Sequence, residues 1–327
     1  MRPTSTTAAV HDHFGGPEQI HIREVDLPEL QEGQVLLEVR AASVNPLDWH
    51  LLTGEPWIGR SQAGWRIRPG RRIGTDVAGV VIAVGPGVTE LEVGDAVFGA
   101  ADGAIARHAI AKARSLVRKP DGVSFEEAGA VAVAGVTALQ AVRDKGRVGT
   151  GSRVLVNGAA GGVGTFAVQI AKALGATVAG VCGPANVELV RDIGADLVVD
   201  HSTEDFTDRP ERYDVIIDNQ GNHPARALKR VLADGGVEVV VGGAGGGKLL
   251  GPLTTLVRLK LAFVVGGRRA APMLASITGA DLQVLADLMA AGSVRPQVTA
   301  TYPLAETASA FEVIAGGHAR GKLVIVP

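Results

Sequence analysis

The residues with the most direct chemical meaning form a glycine-rich run, Gly158-Ala-Ala-Gly161-Gly162-Val163-Gly164. It follows a short apolar stretch ending at Asn157. It opens a stripe of Val163, Phe166, Ile170 and Leu174 at helical spacing. Between a strand and a helix, glycines let the backbone turn tightly and approach a pyrophosphate, while the helix N-terminus supplies free N–H groups and positive dipole. This context predicts a dinucleotide site. A second group lies in Ser43-Val-Asn-Pro-Leu-Asp-Trp-His50. The Asn45 amide can donate and accept, so it can orient a substrate or form the turn before Pro46. Asp48 can hydrogen-bond within this loop or act as a helix N-cap. His50 can donate a proton near neutral pH, or be a surface histidine without a role. His11 and His13 flank Asp12 like a metal clip, but the following Phe-Gly-Gly-Pro places them on an exposed turn. Asp76 reads as structural, paired with an arginine. Trp49, Trp57 and Trp65 can line an aromatic pocket or fill a core.

These groups need a frame. Residues 153–157, 177–181, 197–200, 213–218 and 236–241 are short, mostly apolar runs. Helical segments begin after Gly161 and near Asn186 and Pro224. Near-continuous apolar runs separated by helices predict parallel strands buried on both faces, so the fold class is α/β with a doubly wound Rossmann sheet. Residues 20–24, 35–41, 79–85 and 96–98 are short strands with glycine turns, and 322–326 returns to that style. They predict a β-barrel domain built from both chain ends, 1–123 and 276–327, with the nucleotide domain, 124–275, inserted and the active site in the cleft.

Composition narrows the function. A chain of 327 residues favours two domains. A net charge of -2 gives no reason to expect nucleic acid or an anionic membrane. The single cysteine, Cys182, excludes an internal disulfide and a cysteine-based zinc site. Arg258 and Lys260 interrupt the apolar stretch 249–265, which argues against a membrane span. A soluble cytoplasmic protein is expected. No acid stands between Gly161 and Val187, where NAD-binding sites carry one for the ribose hydroxyls. That favours NADPH. No basic residue stands at the strand end either, so NADH stays possible.

The run Val154-Leu-Val-Asn-Gly-Ala-Ala-Gly-Gly-Val-Gly164, with Gln169-Ile-Ala-Lys-Ala-Leu-Gly175, resembles the zinc-independent, quinone oxidoreductase-like branch of the medium-chain dehydrogenase/reductase superfamily. Ser43-Val-Asn-Pro-Leu-Asp48, Gly74-Thr-Asp-Val-Ala-Gly-Val-Val81, Val93-Gly-Asp-Ala-Val-Phe-Gly99, Ala134-Gly-Val-Thr-Ala138 and Ala319-Arg-Gly-Lys-Leu-Val324 resemble it too. The likeness covers nearly the whole chain. It implies a GroES-like catalytic domain, a Rossmann domain, NADPH and a homodimer. By resemblance, Asn45, Asp48, His50 and Thr137 are the candidates for catalysis, although Thr137 can equally be a helix-buried threonine. Asn45, Thr137, Asn157, Gly158, Gly161, Gly162, Val163, Gly164, Cys182, Gly183, Asn186 and His201 are candidates for cofactor binding, with Gly242, Gly243 and Lys322 as weaker ones.

Departures from the family pattern bear on the chemistry. Asn45 stands where zinc relatives carry cysteine, and Thr75 and Asp76 stand for their His–Glu pair. Asparagine and threonine are poor zinc ligands, so no metal is expected. Gly183 and Ala185 stand where many relatives grip the 2′-phosphate with a serine and a basic residue. The resulting expectation is hydride transfer from NADPH to a quinone or to the β-carbon of an enone. Two alternatives are a non-catalytic crystallin-like or RNA-binding relative and a zinc alcohol dehydrogenase. The run 261–265 is a candidate edge strand for pairing two subunits.

Overall fold

A computed structural model describes residues 2–55, 67–241, 267–317 and 319–327. Trp57, Trp65, Gly242, Gly243 and the runs 249–265 and 261–265 lie outside the described residues. The chain forms two units, Met1–Val136 with Ile277–Gly292 and Pro296–Pro327, and Thr137–Ser276 with Ser293–Arg295.

In the first unit the strand Gln34–Val44 organises a seven-stranded sheet. It pairs antiparallel with Asp76–Val84, His108–Lys112 and Lys322–Val326. It serves three partners because Asp76–Val84 runs along one edge, while His108–Lys112 and Lys322–Val326 share the other, at residues 34–38 and 42–44. Its ladder with Asp76–Val84 slips at Leu36/Leu37 and again at Val39/Ala41. Such irregularities bend a strand and increase its twist. The inward side chains include Leu37, Val39, Val77, Val81, Val97 and Phe311, which share one core. The C-terminal run 322–326 forms a strand within this sheet, as its apolar pattern predicts. A three-stranded sheet of His21–Asp26, Ser5–His11 and Arg71–Arg72 belongs to the same unit. The outer strand, His21–Asp26, is mostly exposed and carries Arg23, Glu24 and Asp26, charges that disfavour edge-to-edge pairing.

His11 departs from its expected place on an exposed turn. It is the last residue of Ser5–His11, opposite Arg71, and is 2% exposed. The ladder with Arg71–Arg72 extends the strand to the edge of the Asp-His-Phe-Gly-Gly turn and draws the imidazole inside.

The second unit is a six-stranded parallel sheet in the order Leu197–Asp200, Thr177–Cys182, Arg153–Asn157, Tyr213–Asp218, Leu232–Val240 and Arg269–Pro272. The order reverses beside the first strand, as in a doubly wound sheet, and ligands bind at such a switch point beyond the strand C-termini. The helices Gly162–Ala173, Val187–Asp192 and Ala225–Val231 follow three of the strands. The fifth strand starts four residues earlier than its apolar run suggests. The register with Tyr213–Asp218 shifts between Leu232 and Val237, so Ala233, Asp234, Gly235 and Gly236 form an irregularity in that ladder. Among the described residues no helix is long and apolar enough to cross a membrane.

Candidate active site

The nucleotide half of the chemistry is built on the first strand of the parallel sheet. Gly158 leaves that strand with φ +78°, a conformation that disfavours any side chain. The N–H groups of Gly158 and Ala159 both donate to Val181 O, pinning the turn to the neighbouring strand. Gly161 caps the helix Gly162–Ala173, whose first intrahelical bond runs from Thr165 N–H to Gly161 O. The N–H groups of Gly162, Val163 and Gly164 therefore lie in the unpaired first turn, where an anion is favoured. A Cβ on Gly164 would lie 2.1 Å from Gly158 O, so the helix packs on the turn only with glycine there. A Cβ on Gly161 would meet only Gly158 O, at 3.5 Å. The open side of Gly161 is a cradle that a pyrophosphate fits.

Asn157 is buried at the end of the strand. Its amide donates to Asp218 Oδ1 at 2.8 Å and Asn222 Oδ1 at 3.0 Å, linking neighbouring strand ends. At the second strand end, Gly183 precedes the turn Pro184–Asn186, and Asn186 leads into Val187–Asp192. The Cys182 thiol is buried, and burial followed by the charge of Asp200 pushes it up to about 11, so it is not a nucleophile at neutral pH. His201 donates its N–H to Cys182 O, and its Nε2 is 3.4 Å from where a Cβ of Gly183 would stand. Sequence reading missed Asp200, which lies opposite Cys182 in the ladder. Its carboxylate accepts from both the N–H and the hydroxyl of Ser202, which hold it below the usual carboxylate range.

The other half is a buried polar network within the first unit. Three adjacent strands deliver it: Ser43 lies opposite Asp76, and Leu323 lies opposite Val44, which brings Lys322 beside Asn45. Asp76 Oδ2 accepts from Ser43 Oγ at 2.6 Å and from Asn45 Nδ2 at 3.0 Å, and Oδ1 accepts from Val133 N–H at 2.7 Å. The ammonium of Lys322 donates to Asn45 Oδ1 and to Asp76 Oδ2. Asp76 is thus paired with a lysine and not with the expected arginine. Lys322, a cofactor candidate by resemblance, is 3% exposed and engaged within this network.

Asn45 caps the helix Pro46–Thr53, and Asp48 is its third residue, not its cap. Asp48 Oδ2 accepts the Asn45 N–H at 2.9 Å, so the two residues close a reciprocal capping box. Asp48 Oδ1 accepts the Thr75 hydroxyl at 2.9 Å. Burial, followed by the charge of Asp76, pushes the Asp48 carboxyl up to about 7, against the opposing pull of Thr75, the Asn45 N–H and Lys322. A pocket opens here, lined by Asp48 and Thr75 with His11, Arg71, Arg72 and Asp102. Desolvation holds the His11 imidazole below its ordinary value.

His50 is exposed in the last turn of the helix, its Nδ1 2.7 Å from Glu55 O, which assigns the ring proton to Nδ1. Trp49 packs against the core of the unit. Thr137 is half-buried within the helix Ala132–Leu139.

The residues at the zinc positions do not fit that ion. Asn45 and Thr75 offer neutral oxygens, and the one carboxylate among them, Asp76, already holds a buried ammonium whose charge would repel a cation. Among the described residues no group of three or more His, Cys, Asp or Glu can hold a metal.

A glycine turn on a parallel switch point, with a metal-unfit polar network in a β-rich unit, defines a nicotinamide-dependent oxidoreductase. Residues 31–121 match the model of the alcohol dehydrogenase GroES-like domain, and residues 193–325 match that of the zinc-binding dehydrogenase family. The chain is 30% identical to the chloroplast envelope quinone oxidoreductase homolog of Arabidopsis thaliana, over 97% of each chain. It is also 30% identical to the NADPH-dependent alkenal/one oxidoreductase of the same plant, over 99% of this chain and 80% of that one. The structure of the quinone oxidoreductase from Coxiella burnetii superposes with a TM-score of 0.84 at 28% identity, covering 99% of both chains. The chain belongs to the medium-chain dehydrogenase/reductase superfamily, in its quinone oxidoreductase-like branch.

Proposed function

We propose that this protein is an NADPH-dependent reductase acting without a metal on a quinone or an α,β-unsaturated carbonyl. The observation that carries this reading is the Lys322–Asp76–Asn45 network at the positions where zinc relatives hold their metal. An alcohol oxidation that needs a Lewis acid has no support from such residues, whereas hydride addition to an already electrophilic carbon needs chiefly positioning. When bound, the reduced nicotinamide supplies the hydride. The turn Gly158–Gly164 would hold the pyrophosphate. Gly183, Asn186 and His201 would border the adenosine ribose, with Asp200 engaged by Ser202 and no acid in 162–186 to repel a 2′-phosphate. Asn45 would act by fixing the Pro46–Thr53 helix and the carboxyl of Asp48. Thr137 and His50 are secondary candidates for contact with nicotinamide and substrate. A cytoplasmic homodimer completes the reading; light scattering that gives a monomer mass removes the dimer.

The test is oxidation of NADPH and NADH by purified protein against quinones and enones, with and without chelator. Chelator-resistant turnover, faster with NADPH, is expected. Absence of both turnover and nucleotide binding would move the protein to the non-catalytic class.

A further inference from the structure

We infer that the Thr75 hydroxyl is the group that hands a proton to the reduced acceptor, with the Asp48 carboxyl behind it as the proton's source. The inference rests on the reductase reading above and names a part of it that the reading leaves open. Asp48 is 2% exposed, yet it lines the pocket beside the half-buried Thr75. Its Oδ2 is tied to the Asn45 N–H, so Oδ1, 2.9 Å from Thr75 Oγ1, is the oxygen with a route outward. A hydroxyl both donates and accepts, so it can pass a proton without holding a charge.

Hydride addition at the β-carbon leaves an enolate, or a hydroquinone anion where the acceptor is a quinone. The Thr75 O–H bond breaks as a new C–H or O–H bond forms on that anion. The Asp48 O–H bond breaks as its proton restores the Thr75 hydroxyl, leaving a carboxylate that regains a proton from water. The surroundings suit a group that cycles between these forms. Burial and the charge of Asp76 favour the acid, whereas Lys322 and the Asn45 N–H keep the carboxylate attainable. Arg71 and Arg72 line the same pocket, together with His11 and Asp102, and the two guanidinium charges favour an anionic intermediate. Arg72 Nη1 is buried without a hydrogen-bond partner among the described residues. The helix packed on Pro46–Thr53, Thr307–Ala315, adds only the exposed Glu312.

The experiment has two arms. In the first, infrared difference spectra of the nucleotide-free protein are titrated between pH 5 and 9 for wild type, Asp48→Asn and Thr75→Val. A protonated carboxyl that titrates near neutrality in wild type and Thr75→Val, and is missing in Asp48→Asn, is expected; its absence from wild type overturns the inference. In the second, enone reduction is followed by NADPH oxidation and by solvent deuterium in the product. Wild-type turnover should fall above neutral pH. Asp48→Asn and Thr75→Val should each lower it by about 10²-fold at pH 6 and flatten the profile. Thr75→Ser should restore both rate and profile. A Thr75→Val enzyme with wild-type rate and pH profile overturns the relay alone, whereas a wild type that turns over no acceptor overturns the relay and the reductase reading together.

Discussion

The ammonium of Lys322 lies 3.3 Å from Asp76 Oδ2, with both side chains almost wholly withdrawn from water. Breaking a buried pair by removing one partner leaves an uncompensated charge and costs about 3–5 kcal/mol. Lys322→Met should therefore lower the urea stability of the protein by that order. Asp76→Asn combined with Lys322→Met should recover much of the loss, because no lone charge remains. Urea midpoints at constant slope are the measurement. A Lys322→Met protein as stable as wild type would show that Asp76 is held by Ser43, Asn45 and Val133 alone.

Asn45 connects this pair to the capping box. Its Oδ1 accepts from Lys322, and its Nδ2 lies within reach of Asp76, Asp48 and Ser43 O. Asn45→Ala removes the cap and should cost about 1 kcal/mol from that source alone. It also frees the segment that holds Asp48. Single-turnover hydride transfer should slow by at least tenfold while NADPH affinity changes little. Equal losses in both would mean that Asn45 serves the cofactor and not the acceptor side.

Two glycines of the nucleotide turn should respond differently. A Cβ on Gly161 meets nothing closer than 3.5 Å, and the residue's φ of -79° suits alanine. Gly161→Ala should keep the wild-type melting temperature yet weaken NADPH binding at least tenfold, since the methyl fills the cradle. A Cβ on Gly164 strikes backbone at 2.1 Å, so Gly164→Ala should lower the melting temperature as well as the affinity. Fluorescence titration with NADPH beside thermal unfolding separates the two. Unaltered affinity in Gly161→Ala would remove the pyrophosphate from this turn.

The parallel sheet was legible because burial on both faces leaves apolar runs bounded by turns. The strands Arg153–Asn157, Leu197–Asp200 and Tyr213–Asp218 fall on the predicted residues. The polar network was legible only in part. Asn45 and Asp48 stand three residues apart, so their hydrogen bond is local. The partner of Asp76 is 246 residues away, and chain spacing gives no hint of it until the strands are in register. The Thr75 hydroxyl meets Asp48 Oδ1 across 27 residues of chain, a contact that spacing does not reveal. The polar Asp-His-Phe-Gly-Gly context of His11 suggests a surface, whereas a short ladder with Arg71 carries it inside.

Glu238 is an acid inside the apolar run Val237-Glu-Val-Val-Val241, most of which lies in the buried part of the strand Leu232–Val240. It is 1% exposed and lies opposite Ile216, two residues from Asp218, and its Oε2 has no partner among the described residues. Burial first, and then the charge of Asp218, pushes its carboxyl up to about 8. The folded protein thus keeps a proton that the unfolded chain releases near the ordinary glutamate value of 4.5. With more protons bound in the native state, stability falls as pH rises through this window. The contribution is fully present below the ordinary value and is lost as pH passes about 8. Glu238→Gln, which cannot ionise, should match wild type near pH 5 and melt several degrees higher at pH 9. Calorimetry across this range checks it. A wild type whose difference from Glu238→Gln is the same at both ends would mean that Glu238 is already ionised in the fold at pH 5.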